Sequence, residues 1–195
     1  MEIKTVGIAC DHAGYALKKF VVEFLESHNI PFKDYGTYSD MSCDYPDFAH
    51  ALGEAITKGD VYPGIGICGS GEGMAMTLNK HKGVRAALVW TPEIAGLTRQ
   101  HNDANVLVMP GRFIDNKTAE KIMDEFFKTP FEGGRHERRV QKIDLYKALN
   151  GINIGGSAKE CRTLLFFTHY YIIDKPDIIS QAKVVIGSYR EWSLL

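Results

Sequence analysis

The sequence predicts an α/β protein, a doubly wound, Rossmann-like three-layer sandwich around a five-stranded parallel sheet. Short apolar segments alternate along the chain with segments whose apolar residues recur at helical spacing. Continuously apolar segments of this kind are typical of parallel strands covered by helices on both faces. In this architecture the ligand crevice lies beyond the carboxyl ends of the strands.

The first strand is predicted over residues 3–10, and a polar turn over residues 11–14 follows it. The next segment forms a helix with one apolar stripe, made by Leu17, Phe20, Val21, Phe24 and Leu25. The charged residues of this helix are expected outside the stripe: Lys18, Lys19, Glu23 and Glu26.

Further strands and helices continue the alternation. The strands are predicted over residues 30–35, 64–68, 84–89 and 105–109. The helices are predicted over residues 47–58, 74–82, 92–103, 116–127 and 136–149. Thr91 and Pro92 favour a helix start, because threonine is a good N-cap and proline suits the first helical position. Gly59 and Asp60 indicate the end of the helix before them.

The composition excludes several classes of protein. The 195 residues carry 23 Lys and Arg against 24 Asp and Glu, a formal charge of −1. This balance gives no support for a nucleic-acid-binding protein that works by bulk electrostatics. No segment approaches the roughly 20 apolar residues of a membrane span, and the amino terminus lacks the apolar region of a signal peptide. We therefore expect a cytoplasmic protein that binds neither nucleic acid nor membrane.

The cysteines and the end of the chain refine this expectation. Four widely spaced cysteines, with no C-x₂-C pair, favour a reducing compartment: Cys10, Cys43, Cys68 and Cys161. Residues 1–149 are predicted to form one catalytic domain, and residues 150–195 an atypical extension of unknown role. The extension begins with a linker-like segment and contains a run of β-formers over residues 163–173. We assign no chemistry to it.

The most informative segment is the glycine-rich turn from Cys68 to Gly73. Alternate glycines let the backbone turn sharply and expose successive N–H groups, which can hold a phosphate or a developing oxyanion. The following helix favours the thiolate form of Cys68, which could act as a base or a nucleophile. The segment matches neither the P-loop nor the dinucleotide-binding pattern. The alternative is a tight strand-to-helix turn around a buried cysteine.

Several other polar residues are expected near this crevice or beside a bound anion. Asp11 and His12 follow the first strand, although a helix-capping aspartate beside a solvated histidine is the alternative. His101 can act as an acid or a base near neutrality, or it can simply complement a helix dipole. Three arginines suit phosphate, two of them on one face of a helix at i and i+4: Arg112, Arg135 and Arg139.

The sequence does not predict a metal site. Four histidines show no ligand spacing with one another or with cysteine: His28, His50, His81 and His169. No H-x₃-H or C-x₂-C element occurs, and the absence of a G-x-S-x-G segment argues against a serine-hydrolase nucleophile.

Together these segments resemble the ribose/galactose isomerase family. The matching segments occur in family order between residue 3 and about residue 147. They are residues 7–14, 44–46, 67–73, 79–80, 99–107, 111–112 and 132–139.

The resemblance implies an aldose–ketose isomerase that interconverts ribose 5-phosphate and ribulose 5-phosphate through an enediolate, with no metal or organic cofactor. It implies that Cys68 is the base and that His101 assists ring opening. The remaining implied substrate-binding residues are Asp11, His12, Tyr45, Gly69, Ser70, Gly71, Glu72, Gly73, Asn102, Arg112, Arg135 and Arg139. Of these, the loop amides stabilise the enediolate, and the arginines and His12 hold the phosphate. Some relatives use a glutamate at the position of Met74, so Cys68 is the better candidate here, and Glu72 is expected to be a loop residue.

The resemblance also implies a homodimer or homotetramer whose active sites are built from two subunits. Allose 6-phosphate or galactose 6-phosphate is an alternative substrate, and the depth of the pocket around Tyr45, Ser70 and Arg112 would decide between them. A protein that binds a phosphosugar or nucleotide without catalysis is the alternative function. The presence of both Cys68 and His101 argues against it, because binding alone requires neither.

Overall fold

The structure, a computed structural model, describes residues 3–143. Five parallel strands form one sheet: β1 Val6–Cys10, β2 Phe32–Asp34, β3 Gly64–Cys68, β4 Ala86–Leu88 and β5 Val106–Pro110. Their order in the sheet is β2-β1-β3-β5-β4. Six helices connect or follow them: α1 Tyr15–Ser27, α2 Tyr45–Lys58, α3 Glu72–Leu78, α4 Pro92–Asn102, α5 Asn116–Lys128 and α6 Arg135–Val140.

Helices cover both faces of the sheet, as the sequence predicts. Val21 of α1 and Ile122 of α5 are buried in one apolar core, which also includes residues of α4. Leu52 of α2 and Leu78 of α3 are buried in a second core on the other face. The three inner strands have no solvent-facing side, because β1, β3 and β5 are buried at every residue. The predicted α/β fold is therefore confirmed.

Several element boundaries differ from the prediction for local reasons. Helix α3 begins at Glu72 rather than residue 74, because Gly71 has a left-handed conformation (φ 82°) that starts the helix directly after the turn. Glu72 is thus a helical residue, and the prediction of a loop residue is wrong. Strand β4 is shorter than predicted, because the backbone of Arg85 bonds to Asn105 instead of continuing the strand. Helix α2 starts two residues early, at Tyr45.

Lys18 is also placed differently from the prediction. It lies inside the fold with 2% of its surface exposed, although its charge suggested a position outside the apolar stripe. Its ammonium group contacts the Asp34 carboxylate at 2.6 and 2.8 Å and also donates to the carbonyl of Thr37. A buried charge requires such partners. Lys18 therefore ties α1 to the segment that follows β2.

The outer edge of the sheet at β4 is closed by a side chain. The amide of Asn79 donates to the carbonyl of Ala86 at 2.8 Å and accepts from the N–H of Ala86 at 2.9 Å. These two bonds reproduce what a neighbouring strand would supply at that residue.

The predicted domain boundary at residue 149 and the extension over residues 150–195 lie outside the described residues. The last helix, predicted over residues 136–149, is shorter than expected: α6 ends at Val140 and a turn follows over residues 141–143. The rest of the predicted helix, residues 144–149, lies outside the described residues. Among the helices in residues 3–143, none is long and apolar enough to cross a bilayer.

Candidate active site

The crevice of the sheet lies between β1 and β3. The chain leaves β1 toward one side to form β2 and returns to the other side to form β3, which makes this the topological switch point. Cys10 pairs with Ile67 in the ladder, so the residues that follow the two strands meet at the carboxyl edge of the sheet. Asp11 continues the pairing through an N–H bond to the Ile67 carbonyl at 3.1 Å.

Cys68 ends β3 and is the first residue of the glycine-rich turn. Its side chain is buried, with 4% of the residue exposed. The backbone N–H of Gly71 points at Cys68 Sγ at 3.2 Å. A backbone donor at this distance stabilises negative charge on sulfur. The turn thus holds the thiol at the switch point with a donor already directed at it.

The turn is fixed by the segment that follows β5. The N–H of Gly111 donates to the Cys68 carbonyl at 2.9 Å, and the N–H of Arg112 donates to the Gly69 carbonyl at 3.1 Å. The Arg112 side chain runs beside Gly69, with Nε 3.7 Å from where a Cβ of Gly69 would lie. Ser70 Oγ accepts from the N–H of Glu72 at 3.4 Å. The structure therefore places Arg112 beside the glycine-rich turn.

Asp11 and His12 lie on the same edge, after β1. Asp11 is buried, and its Oδ1 accepts from the N–H of Gly14 at 2.9 Å, directly before α1. Both the N–H and the C=O of Cys43 lie 3.2 Å from His12 Nδ1. Nδ1 can accept from this N–H or, when it carries a hydrogen, donate to this C=O, so Cys43 occupies Nδ1 and leaves Nε2 for a ligand. Nothing in the sequence spacing indicated Cys43.

Tyr45 is the first residue of α2 and packs on the glycine-rich turn. Its ring lies so close to Gly73 that a side chain at Gly73 would overlap it. Glycine at this position therefore lets the tyrosine ring contact the backbone of the turn.

His101 lies at the other end of the sheet. Helix α4 runs from the carboxyl end of β4 back to the start of β5, so His101 and Asn102, at its end, lie on the amino edge. Arg85, which precedes β4, confirms this position by contacting Asp103 at 2.8 Å and the Asn102 carbonyl at 3.2 Å. Within one chain, His101 and Cys68 therefore lie at opposite edges of the sheet.

Helix α6 packs beside His101 and brings Arg135 and Arg139 to the same edge. The rings of His101 and His136 stack, with centroids 4.3 Å apart and planes 3° from parallel. Burial lowers the pKa of His136, and the neighbouring His101 and Arg135 lower it further. Both arginines are exposed, and they lie on one helix as the spacing predicts.

Three residues at this edge have metal-ligand chemistry: His101, Glu132 and His136. Their ligand atoms lie within 4.8 Å of one another. The two rings are stacked, however, so their nitrogen lone pairs lie in separate parallel planes and do not converge on one ion. Arg135 Nε–H also donates a hydrogen bond to His136 Nε2 at 3.2 Å, so this nitrogen is not free to bind an ion. This arrangement does not suit chelation of a metal ion. Sequence reasoning did not single out Glu132 or His136.

The predicted site residues thus fall into two groups. The carboxyl-edge group contains Asp11, His12, Tyr45, Cys68, Gly69, Ser70, Gly71, Glu72, Gly73 and Arg112. The amino-edge group contains His101, Asn102, Arg135 and Arg139.

Known proteins share this framework. The sequence profile of the Ribose/Galactose Isomerase family matches residues 6–143. A probable ribose-5-phosphate isomerase B of Mycoplasma genitalium is 46% identical over 142 residues, which is 72% of this chain and 93% of that protein. The ribose-5-phosphate isomerase B of Escherichia coli is 39% identical over 141 residues, covering 72% of this chain and 95% of that protein.

Solved structures agree with the sequence comparison. A ribose 5-phosphate isomerase of Thermotoga maritima superimposes with a TM-score of 0.71 at 46% identity, covering 74% of this chain and 99% of that chain. The M. genitalium ribose-5-phosphate isomerase B, solved with bound ribulose 5-phosphate, gives a TM-score of 0.70 at 45% identity, with 74% and 96% coverage. The matched segment contains both groups of predicted site residues, and the chain belongs to the ribose/galactose isomerase family.

Proposed function

We propose that this protein is an aldose–ketose isomerase that interconverts ribose 5-phosphate and ribulose 5-phosphate, with Cys68 as the base. The observation that carries the proposal is the Cys68 thiol at the switch point of the sheet, with the Gly71 N–H directed at its sulfur. Relatives named ribose-5-phosphate isomerase B support the substrate, and one of them was solved with ribulose 5-phosphate bound.

The proposed reaction moves one proton between neighbouring carbons. The Cys68 thiolate removes the proton from C2 of the open-chain aldose, the electron pair forms a C1–C2 double bond, and negative charge develops on O1. The thiol then returns the proton to C1, while the C2 hydroxyl loses its proton to become the ketone and O1 gains one to become a hydroxyl. Backbone N–H groups from Gly69 to Gly73 stabilise the enediolate, which needs fixed donors where charge develops.

The remaining predicted residues position the sugar phosphate. His12 offers its Nε2 to the substrate, because Cys43 occupies Nδ1. Asp11, Tyr45 and Asn102 contact the sugar, and His101 donates or accepts a proton at the ring oxygen when the furanose opens. Arg112, Arg135 and Arg139 hold the phosphate, whose binding energy can be used to align the reacting carbons.

The active site is proposed to combine two copies of the chain. Cys68 and His101 lie at opposite edges of the same sheet, so one chain cannot direct both at one substrate. A homodimer, or a homotetramer made of such dimers, solves this problem when the carboxyl edge of one copy faces the amino edge of another. His101, Asn102 and one or more of the arginines then act across the interface.

The proposed enzyme uses neither a metal nor an organic cofactor, because proton transfer by a thiol and stabilisation by amides are sufficient for this chemistry. The cytoplasm is the proposed compartment. Cys10, Cys43 and Cys68 are free thiols, the form that a reducing compartment maintains.

A coupled isomerase assay tests the function. Wild type and Cys68→Ala are compared on ribose 5-phosphate, allose 6-phosphate and galactose 6-phosphate in the presence of a chelator. We expect turnover of ribose 5-phosphate that falls by about 10³-fold in the variant, since general bases contribute on this scale. Binding of ribulose 5-phosphate, the proposed product, to Cys68→Ala should persist when it is measured by calorimetry. Faster turnover of a 6-phosphohexose would show that the hexose phosphate, not ribose 5-phosphate, is the substrate. Full activity of Cys68→Ala would exclude Cys68 as the base.

The alternative of a non-catalytic phosphosugar- or nucleotide-binding protein gives a different result. It predicts that the wild-type protein binds these sugar phosphates saturably but converts none of the three.

A further inference from the structure

Outside the candidate site, two histidines contact each other on the outer side of the helices that cover the second core. His50 lies on α2, and His81 lies in the turn that follows α3. His50 Nδ1 and His81 Nε2 are 2.9 Å apart, and the two ring planes are inclined by 62°. Unlike the stacked rings of His101 and His136, these rings face each other with one nitrogen each, close enough for a hydrogen bond. Sequence spacing gave no sign of this pair, because the residues are 31 positions apart.

The α2 surface is shaped to receive the His81 ring. His50, Gly53, Glu54 and Thr57 follow one another at i, i+3, i+4 and i+7, so they share one face of the helix. The His81 ring lies directly over Gly53, where any side chain would overlap it. Gly53 therefore forms a notch in α2 that seats the imidazole beside His50.

The backbone around His81 is held in place. Thr57 Oγ donates to the carbonyl of Lys82 at 3.1 Å, which fastens the turn to α2. The N–H of His81 donates to the Leu78 carbonyl at 3.1 Å, and its own carbonyl accepts from Val84 at 3.2 Å. The position of the His81 ring is thus set by the fold before any ligand arrives.

A carboxylate lies one helical turn from His50. Glu54 lies four residues after His50 on the same face of α2. It is paired with Lys58 at 3.0 Å, but both side chains are more than half exposed (59% and 63%). An exposed ion pair of this kind contributes little free energy, so Glu54 can turn from Lys58 toward the histidines.

We propose that His50, Glu54 and His81 form a binding site for a divalent transition-metal ion such as Zn²⁺, separate from the candidate active site. Two imidazole nitrogens and one carboxylate, completed by water, are a standard tetrahedral ligand set for zinc. Bond lengths of about 2.0–2.1 Å require the two nitrogens to stand about 3.4 Å apart. The observed pair must therefore separate by only about half an ångström, a movement that the exposed His50 side chain can make.

The protonation state of His81 suits this role. Burial lowers the pKa of His81, and the neighbouring His50 lowers it further. A histidine must be neutral to bind a metal, and the hydrogen between the two facing nitrogens moves to the other nitrogen of its ring when the ion binds.

Metal binding would link two helices that lead into the candidate site. Helix α2 begins at Tyr45, whose ring rests on Gly73, and α3 begins within the glycine-rich turn. His81 lies beyond the far end of α3, so the ion would not touch Cys68. An ion that binds only the folded state raises its stability. We therefore expect Zn²⁺ to raise the Tm of the full chain without being needed for activity.

Calorimetric titration of the full chain, without an affinity tag, with Zn²⁺ tests the site. His50→Gln and His81→Gln should each lower the Zn²⁺ affinity at least about tenfold, since each removes one ligand. Glu54→Gln should weaken it, whereas Lys58→Gln should strengthen it, because that change frees Glu54 and removes a positive charge. His136→Gln is the matched control at the other histidine pair and should leave this affinity unchanged.

Two further measurements separate the site from a packing effect. His50 is exposed, so His50→Gln should keep the metal-free Tm and the activity while losing the Zn²⁺-dependent rise in Tm. If wild type binds no Zn²⁺, or if His50→Gln and His81→Gln bind it as wild type does, the proposal is wrong. Loss of Zn²⁺ binding in His136→Gln alone would assign the ion to the amino edge instead.

Discussion

The carboxyl and amino edges of the sheet present their predicted site residues in different ways. At the carboxyl edge the turn that carries Cys68 is fixed by backbone bonds from Gly111 and Arg112 at 2.9 and 3.1 Å. At the amino edge His101 sits at a helix end against His136, and Arg135 and Arg139 are exposed side chains. The proposed base is thus held by the main chain, whereas two of the proposed phosphate ligands, Arg135 and Arg139, are long exposed side chains that can adjust.

This difference matches the demands of the two tasks. A base and an anion hole must be placed within a fraction of an ångström, and fixed backbone provides that accuracy. A phosphate is bound by charge, which tolerates movement of an arginine. The proposal that each edge supplies half of a site can be tested by mixing variants.

The largest expected effect comes from complementation between the two edges. Cys68→Ala and His101→Asn should each be nearly inactive alone, with losses of about 10²–10⁴-fold. When the two variants are refolded together, mixed dimers contain one intact site, so activity should recover to about a quarter of wild type.

The control for this experiment is a mixture of Cys68→Ala with Cys68→Ser, which should stay inactive. No recovery in the first mixture, with mixed dimers verified by mass spectrometry, would show that both residues act from the same chain.

A second test addresses the rigidity of the carboxyl edge. Gly71 and Gly83 both have positive φ, 82° and 75°, so alanine at either position adds about 1–2 kcal/mol of backbone strain. Gly71→Ala also pushes against Leu88 and disturbs the N–H directed at Cys68. We expect kcat to fall by about 10²-fold for Gly71→Ala, as when an anion-stabilising donor is lost.

Gly83→Ala serves as the matched control, because no atom lies within 4 Å of its added Cβ. Its kcat should equal that of wild type while its Tm drops slightly. Equal kcat values for both variants would mean that the geometry of the turn does not set the rate.

A third test addresses the adjustable amino edge. Arg139→Ala should raise KM for ribose 5-phosphate about tenfold with little change in kcat, since a charged hydrogen bond is lost from the bound state and the transition state alike. Arg138→Ala, the neighbouring exposed arginine of α6, is the control and should keep the wild-type KM. Initial-rate kinetics distinguish the two, and an unchanged KM in Arg139→Ala would remove it from the phosphate site.

The smallest effect concerns the second thiol of the carboxyl edge. Cys10 is completely buried, and burial raises its pKa to about 12 from 9.0. Above pH 9 the unfolded chain loses this proton while the folded chain keeps it. The free energy of unfolding therefore falls as the pH rises toward 12, by at most about 1.4 kcal/mol per pH unit.

Chemical denaturation of wild type and Cys10→Ala at about pH 8 and about pH 10.5 measures this contribution. Wild type should lose about 2 kcal/mol more than the variant over this interval, and the activity of Cys10→Ala should stay close to wild type. Parallel losses in both proteins would show that Cys10 titrates as in the unfolded chain.

The order of strands and helices could be predicted because each apolar segment is either continuous or periodic. The boundaries were harder to predict where a single residue decides them. Gly71 starts α3 early through its left-handed backbone, and the contacts of Asn105 with Arg85 shorten β4. The burial of Lys18 could not be predicted, since it depends on Asp34, which is brought beside it only by the folded sheet.

The residues of the candidate site were predictable, but their grouping was not. Cys68 and the glycines carry a local signal, and so do Arg135 and Arg139 at helical spacing. Whether His101 reaches Cys68 depends on the direction of α4, which a list of motifs does not contain. Cys43, Glu132 and His136 contribute through tertiary contacts with His12 and His101, and their spacing in the sequence carries no sign of it.

The bonds between Asn79 and Ala86 have a consequence for how copies of this protein can meet. An exposed parallel strand is a template onto which another chain can add by backbone pairing. Here the amide of Asn79 already occupies both backbone groups of Ala86. Continuous sheet growth across β4 is interrupted at its first residue, so association at this side must proceed through side chains, whose complementarity selects one partner rather than an open-ended fibre.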